Sequence, residues 1–192
     1  MTRIGLTGGI GNGKSAASDY IKKRGFPVVD TDLIARKLVE PGCEALQEIS
    51  QAFGRKVMTV QGGLDRSKMA QIVFGSKDAR DQLESILHPR IRRQWKEEVA
   101  ELEEKNCSLV VVVIPLLFET KTESEFDLTL CIGCSSGIQR NRLLARGWSQ
   151  QECDARIATQ WSLERKMVAA DVVIWNDGPL NLLHRQIDEV VL

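Results

Sequence analysis

Two kinds of segment alternate along the chain. Short, mostly apolar runs bounded by glycine, proline or polar residues predict buried strands, and they lie at residues 3–7, 26–30, 109–114, 128–132 and 172–175. Longer segments with apolar residues at helical spacing predict helices, and they lie at residues 14–24, 32–40, 44–53, 67–74, 79–87, 89–105, 137–146 and 152–169. This alternation predicts an α/β fold with a parallel five-stranded sheet flanked by helices.

Residues 109–114 form the most apolar of the predicted strands. All six residues are apolar, and four of them are valine. A continuous apolar run is typical of a strand covered by helices on both faces, whereas a half-exposed strand alternates apolar and polar residues. We therefore expect this strand in the middle of the sheet.

The composition excludes several functional classes. The 192 residues favour one domain, and 26 basic residues balance 26 acidic ones, so no overall positive field attracts nucleic acid. The most apolar stretch, residues 109–118, is ten residues long and contains Pro115, whereas a bilayer span needs roughly 20. The glycine-rich N-terminus lacks the apolar run of a secretory signal. We expect no nucleic-acid partner, no membrane insertion and a cytoplasmic location.

Five cysteines, an odd number, do not indicate a disulfide framework, and we expect them to be reduced. Cys131 and Cys134 have the spacing of half a zinc site or of a redox pair. The remaining candidate ligands, including His88 and His184, are far apart in the sequence, which disfavours zinc. The alternative is that both thiols fill small apolar spaces at a strand end.

Residues 8–15, GGIGNGKS, fit the phosphate-loop pattern GxxxxGK(S/T). Glycines let the backbone turn tightly and direct its N–H groups at a phosphate, and the helix that follows adds positive potential. Lys14 is expected to bridge the β- and γ-phosphates of ATP, and the Ser15 hydroxyl to ligate Mg²⁺. The position between a strand and a helix favours a nucleotide site over a plain glycine turn.

The phosphate loop alone does not define the reaction. The NKxD and DxxG strings that switch GTPases need are absent from the sequence, and the strand at residues 109–114 runs into Pro115 rather than an acidic Walker-B residue. These features indicate a small-molecule kinase. A non-catalytic nucleotide-binding module, a kinase for another acceptor such as a nucleoside monophosphate, and nucleic-acid binding through basic residues remain alternatives.

Asp30 and Asp32 end the second predicted strand. In an extended segment, residues i and i+2 point to the same side, so both carboxylates are expected to face the phosphate site. An aspartate there can orient an acceptor hydroxyl and take its proton during phosphoryl transfer. The alternative is that Asp32 only caps a helix beginning at Leu33.

Eight strings along the chain resemble, in order, the motifs of the dephospho-CoA kinase family: LTGGIGNGKS, VVDTDLIARKLVEPG, GLDRSKMAQIVF, LHPRI, VVVVIPLLFE, QRNRLLARGWS, RIATQ and AADVVIWNDG. The resemblance covers residues 4–178. It implies transfer of phosphate from ATP, with Mg²⁺, to the ribose 3′-hydroxyl of dephospho-CoA, the last step of coenzyme A synthesis. It also implies one P-loop kinase domain over residues 1–192, a helical substrate-binding insertion over 55–105 and a lid over 138–162.

The resemblance also implies roles for individual residues. Asp32 corresponds to the catalytic base and Asp30 to a supporting carboxylate, while Lys14, Arg142 and Arg146 act on the transferred phosphoryl group. The residues around ATP are Gly8, Gly9, Gly11, Asn12, Gly13, Lys14, Ser15 and Ala16 at the phosphates and Asn176 at the adenine side. A turn formed by residues 176–178 is the alternative for Asn176.

Asp32, Arg66, His88, Arg92 and Leu116 correspond to the residues that bind the acceptor. Guanidinium groups suit an acceptor that carries phosphates. As alternatives, Arg66 and Arg92 are solvated helix charges, and His88 is a capping or packing residue before a helix that begins at Pro89.

The lid prediction depends on Gln139, Arg142 and Arg146, whose spacings of three and four place them on one helical face. Two guanidinium groups on that face can close over a triphosphate. A solvated basic face is the alternative. The Arg146-Gly147-Trp148 string departs from the family's frequent Arg-Asp-Gly, which leaves the lid hinge undefined.

Overall fold

The computed structural model describes residues 1–191. In this part of the chain, five strands and nine helices follow one another: β1 (Thr2–Gly8), α1 (Lys14–Lys23), β2 (Val28–Asp30), α2 (Thr31–Leu38), α3 (Glu44–Phe53), α4 (Arg66–Gly75), α5 (Lys77–Glu104), β3 (Leu109–Val113), β4 (Leu128–Gly133), α6 (Ser136–Leu144), α7 (Gln150–Ala158), α8 (Leu163–Ala169), β5 (Val172–Trp175) and α9 (Leu180–Val191). None of these helices is long and apolar enough to span a bilayer.

The five strands form one parallel sheet in the order β2-β3-β1-β4-β5. The register places Ile4 of the central strand β1 between Val111 of β3 and Leu128 of β4. The predicted parallel five-stranded sheet is confirmed. The valine-rich strand β3 is an interior strand, as expected, and β1 occupies the exact centre, so the phosphate loop leaves the sheet at its middle.

The chain divides into two compact units. The first combines Met1–Asp30 with the chain from Val99 onward, and the second is Thr31–Glu98. The first unit therefore holds all five strands, the phosphate loop and helices α6 to α9. The second unit is helical and has its own apolar core: Val39, Ala45, Leu46, Ile49, Phe53, Val57, Met69 and Ile86.

Helices cover both faces of the sheet in the first unit. On one face, the buried side chains of Ile4 and Leu6 share a core with α1 and α9. On the other, Gly133 of β4 lies against Met167 of α8, and Gly5 leaves space for the side chains of Leu117 and Phe126. Alternate residues of each strand thus contribute to opposite cores.

Helix α9 was not predicted from the sequence. It buries Leu183, Ile187 and Val191, which recur every four residues, in the same core as α1. This spacing is a helical signal. A segment of 12 residues beyond the last strand completes the layer that covers the sheet.

Pro89 does not begin a helix. The two helices predicted at residues 79–87 and 89–105 are one helix of 28 residues, α5, with Pro89 inside it. Proline removes a backbone donor and disturbs the preceding turn. The Arg90 guanidinium donates to the Ile86 carbonyl oxygen (2.7 Å) and to the Glu48 carboxylate of α3 (2.6 Å), which connects the turn before Pro89 to a neighbouring helix. The prediction of a helix start at Pro89 was wrong, because the helix continues through the proline.

The single helix predicted at residues 152–169 is also wrong. Helix α7 ends at Ala158, and α8 begins at Leu163. Ser162 caps α8 by accepting a hydrogen bond from the Arg165 N–H (3.3 Å). In the interruption, residues 159–162, the Gln160 side chain bonds to the phosphate loop and the Trp161 N–H bonds to Glu119 in the segment after β3. Local helical periodicity does not show such contacts.

Candidate active site

The phosphate loop connects β1 to α1 and includes three glycines with positive φ, Gly8, Gly11 and Gly13. Gly13 (φ 106°) is the N-cap of α1, and no side chain caps that helix. A β-carbon on Gly13 would collide with the Asn176 amide nitrogen. The first N–H groups of α1 have no partner within the helix. This glycine-lined turn and helix terminus form a site of the kind that binds phosphate.

Lys14 lies across the start of the loop. Its ammonium group donates to the carbonyl oxygens of Gly8 (2.8 Å) and Gly9 (3.0 Å). A phosphate oxygen is a stronger partner for an ammonium group than a neutral carbonyl. The neighbouring Ser15 is exposed, so its hydroxyl is accessible at the first turn of α1. Both residues fit the roles expected for them toward a nucleotide and Mg²⁺.

Asn12 fastens the loop to the carboxyl ends of β4 and β5. Its buried side chain donates to the Ile132 carbonyl oxygen (3.2 Å) and accepts from the Cys134 thiol (3.4 Å). Its own carbonyl oxygen accepts from the Asn176 amide (2.8 Å) and from the Arg142 guanidinium (3.4 Å). The structure therefore brings three predicted site residues, Asn12, Arg142 and Asn176, into one hydrogen-bonded group.

Two glutamines hold the backbone of Ile10 in the loop. Gln139 of α6 donates to the Ile10 carbonyl oxygen (2.7 Å), and the Ile10 N–H donates to the Gln160 side-chain oxygen (3.2 Å). Gln139 belongs to the predicted lid face. Gln160 carried no predicted role of its own, although it ends the RIATQ string.

The predicted shared helix includes Gln139 and Arg142 but not Arg146, and the lid itself stays a prediction. Helix α6 ends at Leu144, so Arg146 lies beyond the helix and is exposed. Gly147 (φ 85°) follows, and its N–H donates to the Leu144 carbonyl oxygen (2.9 Å). A glycine in this conformation commonly ends a helix.

The hinge string next to α6 has a structural role of its own. Trp148, where the family often has glycine, lies under the Arg156 guanidinium at 4.2 Å. Such a stack of a cation on an indole ring connects the segment after α6 to α7.

Asp30 and Asp32 do not follow the predicted alternation. Strand β2 ends at Asp30 and α2 begins at Thr31, so the segment around Asp32 is helical rather than extended. The alternative of Asp32 as the cap of a helix beginning at Leu33 is also wrong, because Asp32 lies inside the first turn of α2. An acidic side chain there is favoured by the helix dipole. Asp32 is exposed.

Besides Asp32, the second unit carries three of the residues expected to bind the acceptor. Arg66 is the first residue of α4 and is exposed. The preceding residue, Asp65, caps the helix by accepting a hydrogen bond from the Lys68 N–H (3.0 Å). His88 and Arg92 lie one turn apart on α5. His88 is half-buried in mid-helix, so it is not a helix cap, and Arg92 is exposed. Their contact with an acceptor stays a prediction.

Leu116 lies in the first unit, in the segment that follows β3, and is half-buried. The residues next to it along the chain, Leu117 and Phe118, are buried. Leu116 therefore keeps part of its apolar side chain accessible where its neighbours do not, and its contact with an acceptor also stays a prediction.

A buried ion pair that sequence analysis missed lies near the end of β3. The Lys166 ammonium, with no exposed surface, lies 2.8 Å from the Glu119 carboxylate and donates to the Pro115 carbonyl oxygen (2.6 Å). Thr7 of β1 donates to the same carbonyl (3.2 Å), and the Trp161 N–H donates to Glu119 (2.8 Å). In the sequence, Lys166 has the ordinary appearance of a surface lysine in a helix.

Cys131 and Cys134 are buried, and all five cysteines are free thiols. Burial raises the pKa of the Cys131 thiol to about 11, although the cations Lys166 and Lys14 partly oppose it. Burial also raises the pKa of Cys134. Within residues 1–191 no group of three or more His, Cys, Asp or Glu side chains is arranged to hold a metal ion. These findings favour the space-filling interpretation over a thiolate site.

The loop residues fit a magnesium-bound triphosphate. Mg²⁺ usually keeps several waters and binds one or two protein oxygens together with substrate phosphates. The exposed Ser15 hydroxyl at the N-terminus of α1 supplies such an oxygen without a dedicated carboxylate cage. The uncapped helix terminus and the Lys14 ammonium supply the positive potential that the phosphates need.

Comparisons with known proteins agree with this geometry. The sequence profile described as dephospho-CoA kinase matches residues 2–181. The dephospho-CoA kinase of Bdellovibrio bacteriovorus is 39% identical over 191 residues, which cover 100% of this chain and 95% of that protein. A solved Thermus thermophilus protein is similar over 99% of this chain and 96% of its own, with a TM-score of 0.84 and 34% identity. The solved dephospho-CoA kinase of Campylobacter jejuni is similar over 98% of this chain and 94% of its own, with a TM-score of 0.71 and 27% identity.

Proposed function

The chain belongs to the dephospho-CoA kinase family, which catalyses the final step of coenzyme A biosynthesis, and we propose how its residues carry out that step. The phosphate loop binds ATP with Mg²⁺, and the γ-phosphoryl group passes to the ribose 3′-hydroxyl of dephospho-CoA. The observation that carries the proposal is the uncapped N-terminus of α1 behind a glycine-lined loop, with the Lys14 ammonium held at that loop.

The loop positions the triphosphate. Gly8, Gly9, Gly11, Asn12, Gly13 and Ala16 complete the turn around Lys14 and Ser15. Lys14 exchanges the two loop carbonyls that it now contacts for β- and γ-phosphate oxygens, which are better partners for a cation. The Ser15 hydroxyl would hold Mg²⁺, which when bound would supply positive charge to the transferred group.

Asp32 is the general base in this proposal. As the new bond forms between the 3′-oxygen and the γ-phosphorus, the bond from that phosphorus to the β-phosphate oxygen breaks and ADP leaves. The proton of the 3′-hydroxyl passes to the Asp32 carboxylate. The match of the VVDTDLIARKLVEPG string to the family and the exposure of this carboxylate support the assignment. Asp30 acts as a supporting carboxylate.

Arg142 and Arg146 stabilise the charge of the transferred group. Arg142 already contacts the loop at Asn12 and the Asn176 carbonyl oxygen (2.9 Å). Arg146 is exposed just beyond α6 and approaches from the lid, residues 138–162, in this proposal. Asn176, buried against the loop, belongs to the adenine side of the site.

The acceptor is bound by Arg66, His88, Arg92 and Leu116, with residues 55–105 as the substrate-binding insertion. The exposed guanidinium groups of Arg66 and Arg92 suit the phosphates of dephospho-CoA. The i, i+4 spacing of His88 and Arg92 presents both on one face of α5. We place the reaction in the cytoplasm, because the free thiols fit a reducing compartment.

The test is to incubate the purified protein with Mg·ATP and dephospho-CoA and to detect coenzyme A by mass spectrometry. We expect coenzyme A and ADP in equal amounts. A panel of other acceptors, including nucleoside monophosphates, is run in parallel. ADP release that depends on a different acceptor, or no acceptor-dependent ADP release at all, would overturn the proposal.

A further inference from the structure

Ile10 of the phosphate loop is held through both of its backbone polar groups by side chains from distant parts of the chain. Its carbonyl oxygen accepts a hydrogen bond from Gln139 (2.7 Å), and its N–H donates to Gln160 (3.2 Å). These glutamines lie 129 and 150 residues away in the sequence. One belongs to α6 and the other to the interruption between α7 and α8.

The polarity of the two contacts is fixed by the backbone. A peptide N–H only donates and a peptide carbonyl only accepts, so Gln160 must present its oxygen and Gln139 its NH₂ group. The Ile10 N–H belongs to the peptide between Gly9 and Ile10, and the Ile10 carbonyl to the peptide between Ile10 and Gly11. Gln160 therefore selects the orientation of the first peptide and Gln139 that of the second. A half-turn of the first would set the Gly9 carbonyl oxygen against the Gln160 oxygen, and a half-turn of the second would set the Gly11 N–H against the Gln139 NH₂ group, so each flip loses one bond.

Gln160 is itself held in place by the core of the first unit. The next residue, Trp161, donates its N–H to the Glu119 carboxylate (2.8 Å), which is paired with the buried Lys166. The Trp161 ring lies near Phe118 (6.2 Å between ring centres) and under the Arg165 guanidinium (3.3 Å). The Gln160 backbone therefore has little freedom to move away from the loop.

We propose that Gln139 and Gln160 are positioning residues of the nucleotide site, which fix the two peptides on either side of the Ile10 Cα and thereby keep the phosphate loop in its phosphate-binding form. The inference rests on the proposed function and deepens it. A carbonyl oxygen turned into a phosphate site repels phosphate oxygens, so an unfixed peptide weakens ATP binding. The same two bonds connect the loop to the segments on either side of α7.

The polarity of the contacts gives a charge-matched test. Gln160→Glu keeps an oxygen that accepts from the Ile10 N–H. Gln139→Glu removes a donor and places a carboxylate against the Ile10 carbonyl oxygen. Both variants add one negative charge beside the same residue of the loop, so any general effect of charge on ATP binding is shared. The difference between them reports the hydrogen bonds.

We expect KM for Mg·ATP in Gln139→Glu to exceed that in Gln160→Glu by about fivefold or more, the scale of one lost hydrogen bond between polar groups. KM for dephospho-CoA should be equal in the two. The neutral variants Gln139→Met and Gln160→Met each lose one bond, so both should raise KM for Mg·ATP. Thermal unfolding of all four variants identifies any that are misfolded, and the neutral pair then still tests the inference.

Equal KM values for Mg·ATP in the two glutamate variants, or wild-type values in both methionine variants, would overturn the inference. Failure of the proposed function is a separate result: the wild-type protein then forms no coenzyme A. In that case equilibrium binding of ATP to the same four variants tests the glutamines, and the same ordering of affinities is expected.

Discussion

The Asn176 amide donates a 2.8 Å hydrogen bond to the Asn12 carbonyl oxygen, although 164 residues separate the two. The bond joins the loop after β5 to the phosphate loop after β1. It also places the Asn176 side chain directly against Gly13, so that no β-carbon fits there. The form of the phosphate loop is therefore set by the sheet order, which brings the ends of β1, β4 and β5 to one edge.

Gly13→Ala should abolish ATP binding, because the new methyl group collides with Asn176 and the φ of 106° strains a residue with a β-carbon. Gly25→Ala is the matched control. Gly25 also has a positive φ, 89°, but a β-carbon there meets nothing within 4 Å. Each substitution should cost about 1 kcal/mol of stability through backbone strain. Isothermal titration calorimetry compares the ATP affinity of the two variants. Equal loss of affinity in both would contradict the steric explanation.

Asp32→Ala should lower kcat by roughly 10² to 10⁴-fold, the range of general acid–base catalysis, and leave KM for Mg·ATP close to wild type. The reason is that the carboxylate acts on the acceptor proton and not on the nucleotide. Steady-state kinetics with both substrates measures the effect. The control is Asp19→Asn, which changes another exposed aspartate, on α1, and should leave kcat and KM unchanged. Full turnover by Asp32→Ala would leave Asp32 with only a helix-terminal role.

Lys166→Met should destabilise the protein strongly, because it leaves the Glu119 carboxylate without its buried partner. Removing one member of a buried pair typically costs about 3 to 5 kcal/mol. The double variant Lys166→Met with Glu119→Gln should recover much of that loss, since no unpaired charge remains. Urea unfolding of the two single variants and the double variant gives the coupling energy. If the effects of the single variants simply add, the pair is not the source of the stability.

Three of the five thiols should be protected from modification in the folded protein. Cys131, Cys134 and Cys153 are buried, whereas Cys43 and Cys107 are partly exposed. At mildly alkaline pH, a thiol reagent should therefore react quickly with two thiols, and with all five after denaturation. Mass spectrometry of the modified peptides identifies the sites. Fast modification of Cys131 in the folded protein would contradict its burial.

The raised pKa of Cys131 also predicts how stability depends on pH. In the folded protein this thiol keeps its proton until about pH 11, whereas the unfolded chain releases it near the ordinary thiol pKa of 9.0. Between these values the folded state binds more protons than the unfolded state, so stability falls as pH rises and is unaffected by this group below that window. Unfolding of Cys131→Ala, compared with wild type across the window, should show a smaller fall.

Local patterns in the sequence were enough for the strands and for the phosphate loop. A run such as residues 109–114 must be buried wherever it lies, and the GGIGNGKS string requires glycine conformations and a helix start in itself. The resemblance to a kinase family depended on the same short strings. These are properties of neighbouring residues, and the structure keeps them.

The tertiary structure decided what depends on partners far away in the chain. Helix α5 continues through Pro89 where the Arg90 side chain bonds to Glu48 of α3, and α7 and α8 are separated by a segment whose Trp161 N–H bonds to Glu119. Lys166 is buried only because Glu119 and the Pro115 carbonyl are there to receive it. A sequence lists such residues without their partners, because hydrogen bonds and ion pairs form between groups that folding brings together, not between neighbours in the chain.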